Sequence, residues 1–204
     1  MGNRGRFGKY GEIKRFDRLR KARIAPPSTA RGRVKQSMPW RSPRQAPSQK
    51  PEIILRPASG DADTRFVGRL SGKVFNIYGP YEEIIPEWIE SGTGLTIIAL
   101  MDGGPIGFAM IGEPFERYDM QPSAELLAIA VDPERQGMGV GKLLLKEMDR
   151  RASEMKVKRI FLHTAVDNLS AQRLFSRAGY GIWEIKKCFY SEGQDALVMF
   201  KVLF

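Results

Sequence analysis

The stretch of sequence that decides the fold is residues 131–142, which read VDPERQGMGVGK. It follows the apolar run 125–131 and leads without a gap into the leucine-rich segment 141–155. This pattern predicts a strand, a glycine-rich turn and a helix. Glycines at alternate positions let the backbone fold tightly and expose its N–H groups in front of the positive end of the helix dipole, so the turn suits a pyrophosphate. On these residues alone, a plain strand-to-helix turn is an equally good interpretation.

Apolar periodicity on both sides of this turn predicts the remaining elements. Pro86 is expected to shorten or kink the second helix. The order β-α-α-β-β-β-α-β-α-β-β predicts an α/β fold of the mixed α+β kind, a central mixed sheet flanked by helices. Strands are predicted at residues 53–56, 95–101, 106–111, 125–131, 159–165, 180–189 and 196–204, and helices at residues 61–78, 81–90, 141–155 and 169–178.

The positive charge of the chain is confined to its N-terminal quarter. Residues 1–50 hold 15 of the 33 Lys and Arg against two acids, so their net charge is +13. The remaining residues have a net charge of −3, which gives the total of +10. The Pro, Ser, Gln and Arg composition of residues 26–51 is typical of an extended linker. The sequence therefore predicts a basic, largely disordered tail at 1–51 and one folded domain at 52–204.

Composition also argues against several classes of protein. No apolar run is long enough to cross a bilayer, and no apolar segment follows Met1 as a secretory signal would. One histidine and one cysteine, His163 and Cys188, cannot form a zinc site, and a single cysteine cannot form an internal disulfide. We expect a cytoplasmic protein with no membrane contact and no metal.

Two motifs together resemble a known family. Residues 136–141, QGMGVG, resemble the Q/R-x-x-G-x-G/A acyl-CoA loop of the GNAT acetyltransferase superfamily, and residues 124–133 resemble the strand before that loop. Residues 168–180, NLSAQRLFSRAGY, are similar to the second cofactor motif of that family, N-x-x-A-x-x-(L/F)-(Y/F)-x-x-x-G-(F/Y). The motifs occur in the family's order, and the resemblance covers residues 52–204.

The resemblance implies the acyl-CoA N-acyltransferase fold, a largely antiparallel sheet whose central strand and its neighbour splay apart. Acetyl-CoA is then the co-substrate: its pantetheine lies in the gap between the strands, and its pyrophosphate lies on the glycine-rich turn. The residues implied in binding are Ile129, Ala130 and Val131 of the strand, Gln136, Gly137, Met138, Gly139, Val140, Gly141 and Lys142 of the turn, and Asn168, Ala171 and Phe175 of the second motif.

Acyl transfer to an amine requires a neutral amine, a hydrogen-bond donor for the oxyanion and a stable leaving thiolate. Making a lysine neutral at physiological pH costs about 4 kcal/mol, whereas an α-amine requires less than about 1 kcal/mol. Two residues could take the proton: His163, the one histidine, and Glu125, at the head of the central strand. A packed strand histidine and an exposed strand-end carboxylate are the alternative interpretations of these two residues.

A closer resemblance favours His163 over Glu125. Residues 160–168 resemble the protein N-terminal acetyltransferases of the ribosomal-protein-alanine type, in which a histidine or glutamate at this place serves as the base. Glu125 matches a position that holds a catalytic glutamate or tyrosine across the superfamily. Residues 185–190 are similar to the aromatic substrate-binding segment of these enzymes, which makes Tyr190 a substrate-binding candidate.

Phe175 departs from the family pattern, because many relatives carry a tyrosine there that acts as general acid toward the sulfur. Either the thiolate leaves unaided or a hydroxyl such as that of Tyr190 replaces the missing phenol.

The predicted function is transfer of the acetyl group of acetyl-CoA to a primary amine, most simply the N-terminal α-amine of a protein or peptide. One alternative is a small-molecule amine. Another is a module that binds RNA or the ribosome through residues 1–50, with the acyl-CoA fold as a scaffold, because basic groups interleaved with aromatic rings suit phosphates and bases. A solubilising or targeting extension is the plainer interpretation of the same residues.

Overall fold

The computed structural model describes residues 51–116 and 121–203. The predicted tail lies outside the described residues, apart from Pro51, so its separation from the domain stays a prediction. The described residues belong to the compact unit Ser48–Phe204.

The predicted order of elements is confirmed, with a two-residue strand and one 3-10 turn added. The strands are β1 Ile53–Pro57, β2 Gly94–Met101, β3 Gly104–Gly112, β4 Phe115–Glu116, β5 Pro122–Val131, β6 Arg159–Ala165, β7 Gly181–Lys186 and β8 Ala196–Val202. They lie in the order β1-β2-β3-β5-β6-β8-β7, with β4 paired to β5, and every neighbouring pair is antiparallel except β5 and β6. The helices are α1 Gly60–Phe75, α2 Tyr81–Glu90, α3 Val140–Glu154 and α4 Leu169–Arg177, and the 3-10 turn is Pro133–Arg135.

Helices cover both faces of the sheet. Neighbouring residues of a strand point to opposite faces, and accordingly Ile98 packs with α1 and α2 while Ile97 packs on the side of α3 and α4. On one face, α1 and α2 bury Val67 and Ile85 against the sheet. On the other face, α3 buries Leu144. The predicted sheet flanked by helices is therefore confirmed.

The central strand β5 separates from its parallel neighbour β6 partway along its length. The two strands pair over four residues, from Ser123 opposite Arg159 to Leu126 opposite Leu162. Beyond that point β5 continues to Val131, and among the described residues its one partner strand there is β3. The register with β3 shifts at the same place, so that a bulge bends β5 where the separation begins. The splayed pair implied by the family resemblance is present.

Several boundaries differ from those predicted. α1 ends at Phe75, three residues early, and α2 continues through Pro86 to Glu90 without being shortened. Burial of Ile85, which is 1% exposed, holds that helix together despite the hydrogen bond that Pro86 cannot make. β7 ends at Lys186, because Cys188 adopts a left-handed φ of 48°.

Glu125 is not at the head of its strand. The strand begins at Pro122, which makes Glu125 the fourth residue of β5 and places it beside the neighbouring strand β6.

Candidate active site

The glycine-rich turn presents the first N–H groups of α3. Gly137 and Gly139 have φ angles of 79° and 87°, in the left-handed region that side chains with a Cβ rarely adopt. α3 starts at Val140, and its first turn contains no acidic residue that would compete for these N–H groups. Lys142 is exposed on the same turn. The arrangement supplies backbone donors, a helix dipole and a cation to an anionic group.

Side chains on both flanks fix the shape of this turn. Asp132 Oδ1 accepts hydrogen bonds from Lys73 Nζ at 2.9 Å and from the backbone N–H of Glu134 at 3.1 Å. The bond from Lys73, followed by that from Glu134, lowers the pKa of Asp132, so the carboxylate stays charged. Gln136, predicted to bind the co-substrate, donates from Nε2 to the carbonyl of Val131 at 3.2 Å and thereby closes the loop.

Gly141 allows a close approach of α3 to α4, since a Cβ there would lie 3.1 Å from a methyl carbon of Leu174. Met138 packs half-buried against the core on the α3 side of the sheet.

The residues of β5 beyond the separation point have a free side along the backbone. Ala130 and Val131 pair with Phe108 and Gly107 of β3, and within the described residues β6 offers no partner on their other side. Ile129 lines the cavity that opens there. An extended amide chain could pair with this exposed edge as an additional strand.

The second motif forms the other wall of the gap. Asn168 caps α4, accepting a hydrogen bond through Oδ1 from the backbone N–H of Ala171 at 3.0 Å. Phe175 is 4% exposed and meets the ring of Tyr180 edge-on at 5.9 Å. Asn168, Ala171 and Phe175 all line the cavity, so the packing role of Phe175 and its place in the site coexist.

A cavity of about 160 Å³ lies where β5 and β6 separate. It extends from the second motif to the α1–α2 loop and the β7–β8 loop, and its walls are mostly aromatic and aliphatic. Its lining comprises Phe75, Tyr78, Tyr81, Ile85, Trp88, Glu125, Leu126, Leu127, Ala128, Ile129, Leu162, His163, Thr164, Ala165, Asn168, Ala171, Phe175, Phe189 and Tyr190.

The two candidate bases form one hydrogen-bonded pair. His163 Nδ1 lies 2.6 Å from Glu125 Oε1, and His163 Nε2 lies 3.0 Å from Lys186 Nζ. The imidazole stacks on the ring of Phe189, with centroids 4.3 Å apart and planes 5° from parallel. The side chains of His163 and Glu125 are 12% and 34% exposed. These two residues, which the sequence presents as alternatives, are therefore in direct contact.

The α1–α2 loop and the β7–β8 loop contact each other where they border the cavity. Ser191 Oγ donates to the carbonyl of Tyr78 at 3.2 Å, Gln194 Nε2 donates to the carbonyl of Ile77 at 2.5 Å, and the rings of Tyr78 and Tyr190 lie 4.9 Å apart. Burial raises the pKa of Tyr190, helped by the neighbouring phenols and by Asp167. Burial, followed by Asp167, also raises the pKa of Tyr78. Both phenols therefore remain protonated hydrogen-bond donors but are weaker acids than ordinary tyrosines.

The sequence missed part of this site. Tyr78, Tyr81 and Phe189 join the predicted Tyr190 in the cavity wall, and Lys186 joins the predicted base. The sequence signal for Tyr78 and Tyr81 is the density of aromatic residues around the junction of the first two helices, whereas Phe189 lies in the segment 185–190 that the family resemblance marked. No local signal marks Lys186, because its contact depends on the register of three strands.

Within residues 51–116 and 121–203, no three His, Cys, Asp or Glu side chains are grouped as a metal site would require. None of the helices in the same ranges combines the length and the apolar character needed to cross a membrane.

Comparison with known proteins gives the class of this chain. Residues 61–180 match the Acetyltransferase (GNAT) family. The match extends over more than half of the chain and includes both motifs. The chain belongs to the GNAT acetyltransferase family, and it is an acetyl-CoA-dependent N-acetyltransferase.

Relatives with differing names share this similarity. An uncharacterised N-acetyltransferase of Methanocaldococcus jannaschii is 27% identical over 150 residues, covering 73% of this chain and 90% of the relative. A Bacillus subtilis protein with the name "Putative [ribosomal protein bS18]-alanine N-acetyltransferase" is 32% identical over 114 residues, 55% of this chain and 72% of that one. A spermine/spermidine N(1)-acetyltransferase of Bacillus subtilis is 36% identical over 83 residues, 39% of this chain and 54% of the relative.

Solved structures agree on the fold. The ribosomal-protein-alanine N-acetyltransferase of Brucella melitensis superposes with a TM-score of 0.63 at 23% identity, covering 74% of this chain and 99% of that one. A Salmonella typhimurium protein of the same fold, solved with its cofactor acetyl-CoA, gives a TM-score of 0.63 at 17% identity, covering 74% and 94%. The predicted family, fold, enzyme class and acetyl-CoA co-substrate are thereby confirmed.

Proposed function

We propose that this enzyme acetylates the N-terminal α-amine of a protein or peptide. The observation that carries the proposal is the pairing of Glu125 with His163 at 2.6 Å, on the wall of an aromatic cavity where the two strands separate. The similarity to a ribosomal-protein-alanine N-acetyltransferase supports a protein acceptor.

The Glu125–His163 pair accepts the proton of the acceptor ammonium. A carboxylate and an imidazole in contact form one proton-accepting unit, and each restricts the orientation of the other. Because an α-amine near pKa 8 gives up its proton at a cost of less than about 1 kcal/mol, such a unit is sufficient near neutral pH. A lysine acceptor would cost about 4 kcal/mol.

The walls of the cavity favour an acceptor without additional charge. Glu125 is the one acidic residue among the described residues that line the cavity, and the rest of the lining is aromatic, aliphatic or neutral. A polyamine would bring further ammonium groups into this space with no carboxylate to compensate them, and unpaired buried charges are costly. A peptide brings one ammonium and neutral amides. The spermine/spermidine relative keeps the polyamine as the second candidate.

The backbone completes the reaction. In the proposed step the freed nitrogen lone pair forms the C–N bond, an N–H of β5 beyond Leu126 stabilises the oxyanion, and the C–S bond breaks. A thiol of pKa about 8.5 leaves readily as a thiolate. The raised pKa values of Tyr78 and Tyr190 make them poor proton donors to such a thiolate, so we propose that it leaves without a phenol proton, in keeping with Phe175.

The proposal also includes the parts of the chain beyond this site. Residues 1–50, with their 15 basic groups, would contact RNA or the ribosome and hold the enzyme near its acceptor. A cytoplasmic location belongs to the same proposal.

A panel of matched acceptors tests the proposed function. The enzyme and acetyl-CoA are incubated with each of three acceptors. The first is a peptide with a free α-amine and no lysine, the second is an N-terminally blocked version of that peptide with one lysine, and the third is spermidine. Release of free CoA thiol is measured for each. We expect turnover with the free peptide alone. Preference for spermidine would replace the proposal with the polyamine function, and equal use of the blocked peptide would replace it with lysine acetylation.

A further inference from the structure

Three charged or polar side chains from three strands lie in one row across the sheet. Glu125 comes from β5, His163 from β6 and Lys186 from β7, and the two gaps measure 2.6 Å and 3.0 Å. Lys186 also lies over the ring of Phe189 at 5.5 Å, and Phe189 covers one face of the imidazole. Lys186 is therefore part of a cluster of contacting side chains that also includes Glu125, His163 and Phe189.

Donor and acceptor counting assigns the protons in this row when Lys186 is an ammonium. A lysine ammonium has donors only, so its contact with His163 requires a lone pair on Nε2. A neutral imidazole that accepts at Nε2 carries its proton on Nδ1, and that N–H then donates to Glu125 Oε1. Both imidazole nitrogens are therefore engaged. Glu125 keeps its second oxygen, Oε2, to which no hydrogen bond is made within the described part of the chain.

The cavity reaches this row from one end. Glu125 and His163 line it, whereas Lys186 is not among its described lining residues and contacts the imidazole at Nε2, the nitrogen that does not contact Glu125. An acceptor amine in the cavity therefore meets a carboxylate oxygen that is free and an imidazole whose lone pair is occupied.

We propose that Lys186 is a positioning residue: it holds His163 in the Nδ1–H tautomer, so that Glu125 Oε2 is the atom that takes the proton of the acceptor. The inference rests on the proposed function. One proton leaves the acceptor ammonium for Oε2 and passes to solvent, and the electron pair freed on nitrogen forms the C–N bond. The C–S bond then breaks with its electron pair on the thiolate, and the second proton of the nitrogen leaves through Oε2 to solvent. In this arrangement His163 orients the base and does not touch the acceptor.

The chain is suited to a direct test, because His163 is its one histidine. In tag-free protein labelled with ¹⁵N, the imidazole nitrogens give a single pair of signals, and their shifts and couplings show which nitrogen carries the proton. We expect the Nδ1–H tautomer in the wild type, with no acceptor present. An Nε2–H tautomer in the wild type would overturn the proposal.

Substitutions of two lysines separate this role from general effects of charge. Lys186→Met is expected to increase the Nε2–H tautomer and to lower kcat about tenfold, which is less than the 10²–10⁴ expected for loss of the proton acceptor itself. Lys186→Arg, which keeps a cationic donor, should recover the wild-type tautomer and part of the rate. Lys158→Met is the control: Lys158 is exposed in the turn before β6 and is not among the residues that line the cavity, and its loss should change neither quantity.

The two measurements also distinguish this inference from the proposed function. The tautomer is measured without an acceptor, so it is informative even if the peptide is not the true substrate. A change in tautomer without a change in kcat, or the reverse, would overturn the positioning role. The shift in melting temperature caused by acetyl-CoA confirms that each variant is folded, and Lys186→Gln replaces Lys186→Met if the latter does not fold.

Discussion

Replacing Gly139 by alanine should lower the stability of the free protein and, in addition, weaken the binding of acetyl-CoA. Gly139 has a φ of 87°, and a Cβ built there has no neighbour within 4 Å, so alanine introduces strain without a clash. The left-handed conformation costs a non-glycine residue about 1–2 kcal/mol. At about 2–4 °C per kcal/mol for a domain of this size, the free protein should lose roughly 2–8 °C of melting temperature.

The effect on binding follows from the same strain. A turn that relaxes away from the left-handed conformation moves the N–H groups at the start of α3. Loss of one hydrogen bond to a charged group costs about 1.5–3 kcal/mol, which raises Kd about tenfold or more. Acetyl-CoA at about 100 times the wild-type Kd stabilises the wild type by about 2.7 kcal/mol, and a tenfold weaker complex by about 1.4 kcal/mol. The thermal shift should therefore fall by about half.

Gly103→Ala is the control for this experiment. Gly103 has a φ of 78° and equally open surroundings, but it lies in the β2–β3 turn, outside the proposed co-substrate site. Scanning fluorimetry of both variants, with and without acetyl-CoA, should show similar losses of intrinsic stability and a reduced ligand shift for Gly139→Ala alone. Equal ligand shifts in the two variants would refute the placement of the pyrophosphate on this turn.

Three further predictions concern the base, the surface of α3 and the tail. His163→Ala and Glu125→Gln should each lower kcat, the second by about 10²–10⁴, with an unchanged Kd for acetyl-CoA by calorimetry; an unchanged kcat in both would remove the pair from the mechanism. The pKa of Glu147 is lowered to about 2, chiefly by the hydrogen bond from Arg150. The stability that the Glu147 carboxylate contributes is therefore present above pH 4.5 and is lost as the pH falls toward 2. Glu147→Gln should accordingly cost about 1 kcal/mol in urea unfolding at pH 7 and nothing near pH 2, and a constant difference would contradict this origin. Deleting residues 1–50 should leave turnover of a short peptide intact and weaken RNA binding in low salt; loss of peptide turnover would place the tail in the active site.

The sequence by itself determined the order of the elements, and with the family resemblance it located the two motifs proposed to bind the co-substrate. Both depend on local signals: apolar periodicity over a few residues, alternating glycines before a leucine-rich run, and an asparagine at a helix start. Each of these acts through backbone geometry within its own segment, which is why the turn and the helix start at residues 136–142 could be predicted without a tertiary structure. The assignment of this turn to the pyrophosphate came from the family resemblance. The boundaries were less certain, since Pro86 lies inside a helix that tertiary packing stabilises.

The tertiary structure alone decided the chemistry of the site. Glu125 and His163 are 38 residues apart, and His163 and Lys186 are 23 apart, so their contacts exist only because the register of β5, β6, β8 and β7 aligns them. A shift of one residue in any of these pairings would turn a side chain to the other face of the sheet. From sequence, the two candidate bases were alternatives, and the fold makes them one pair with a third member.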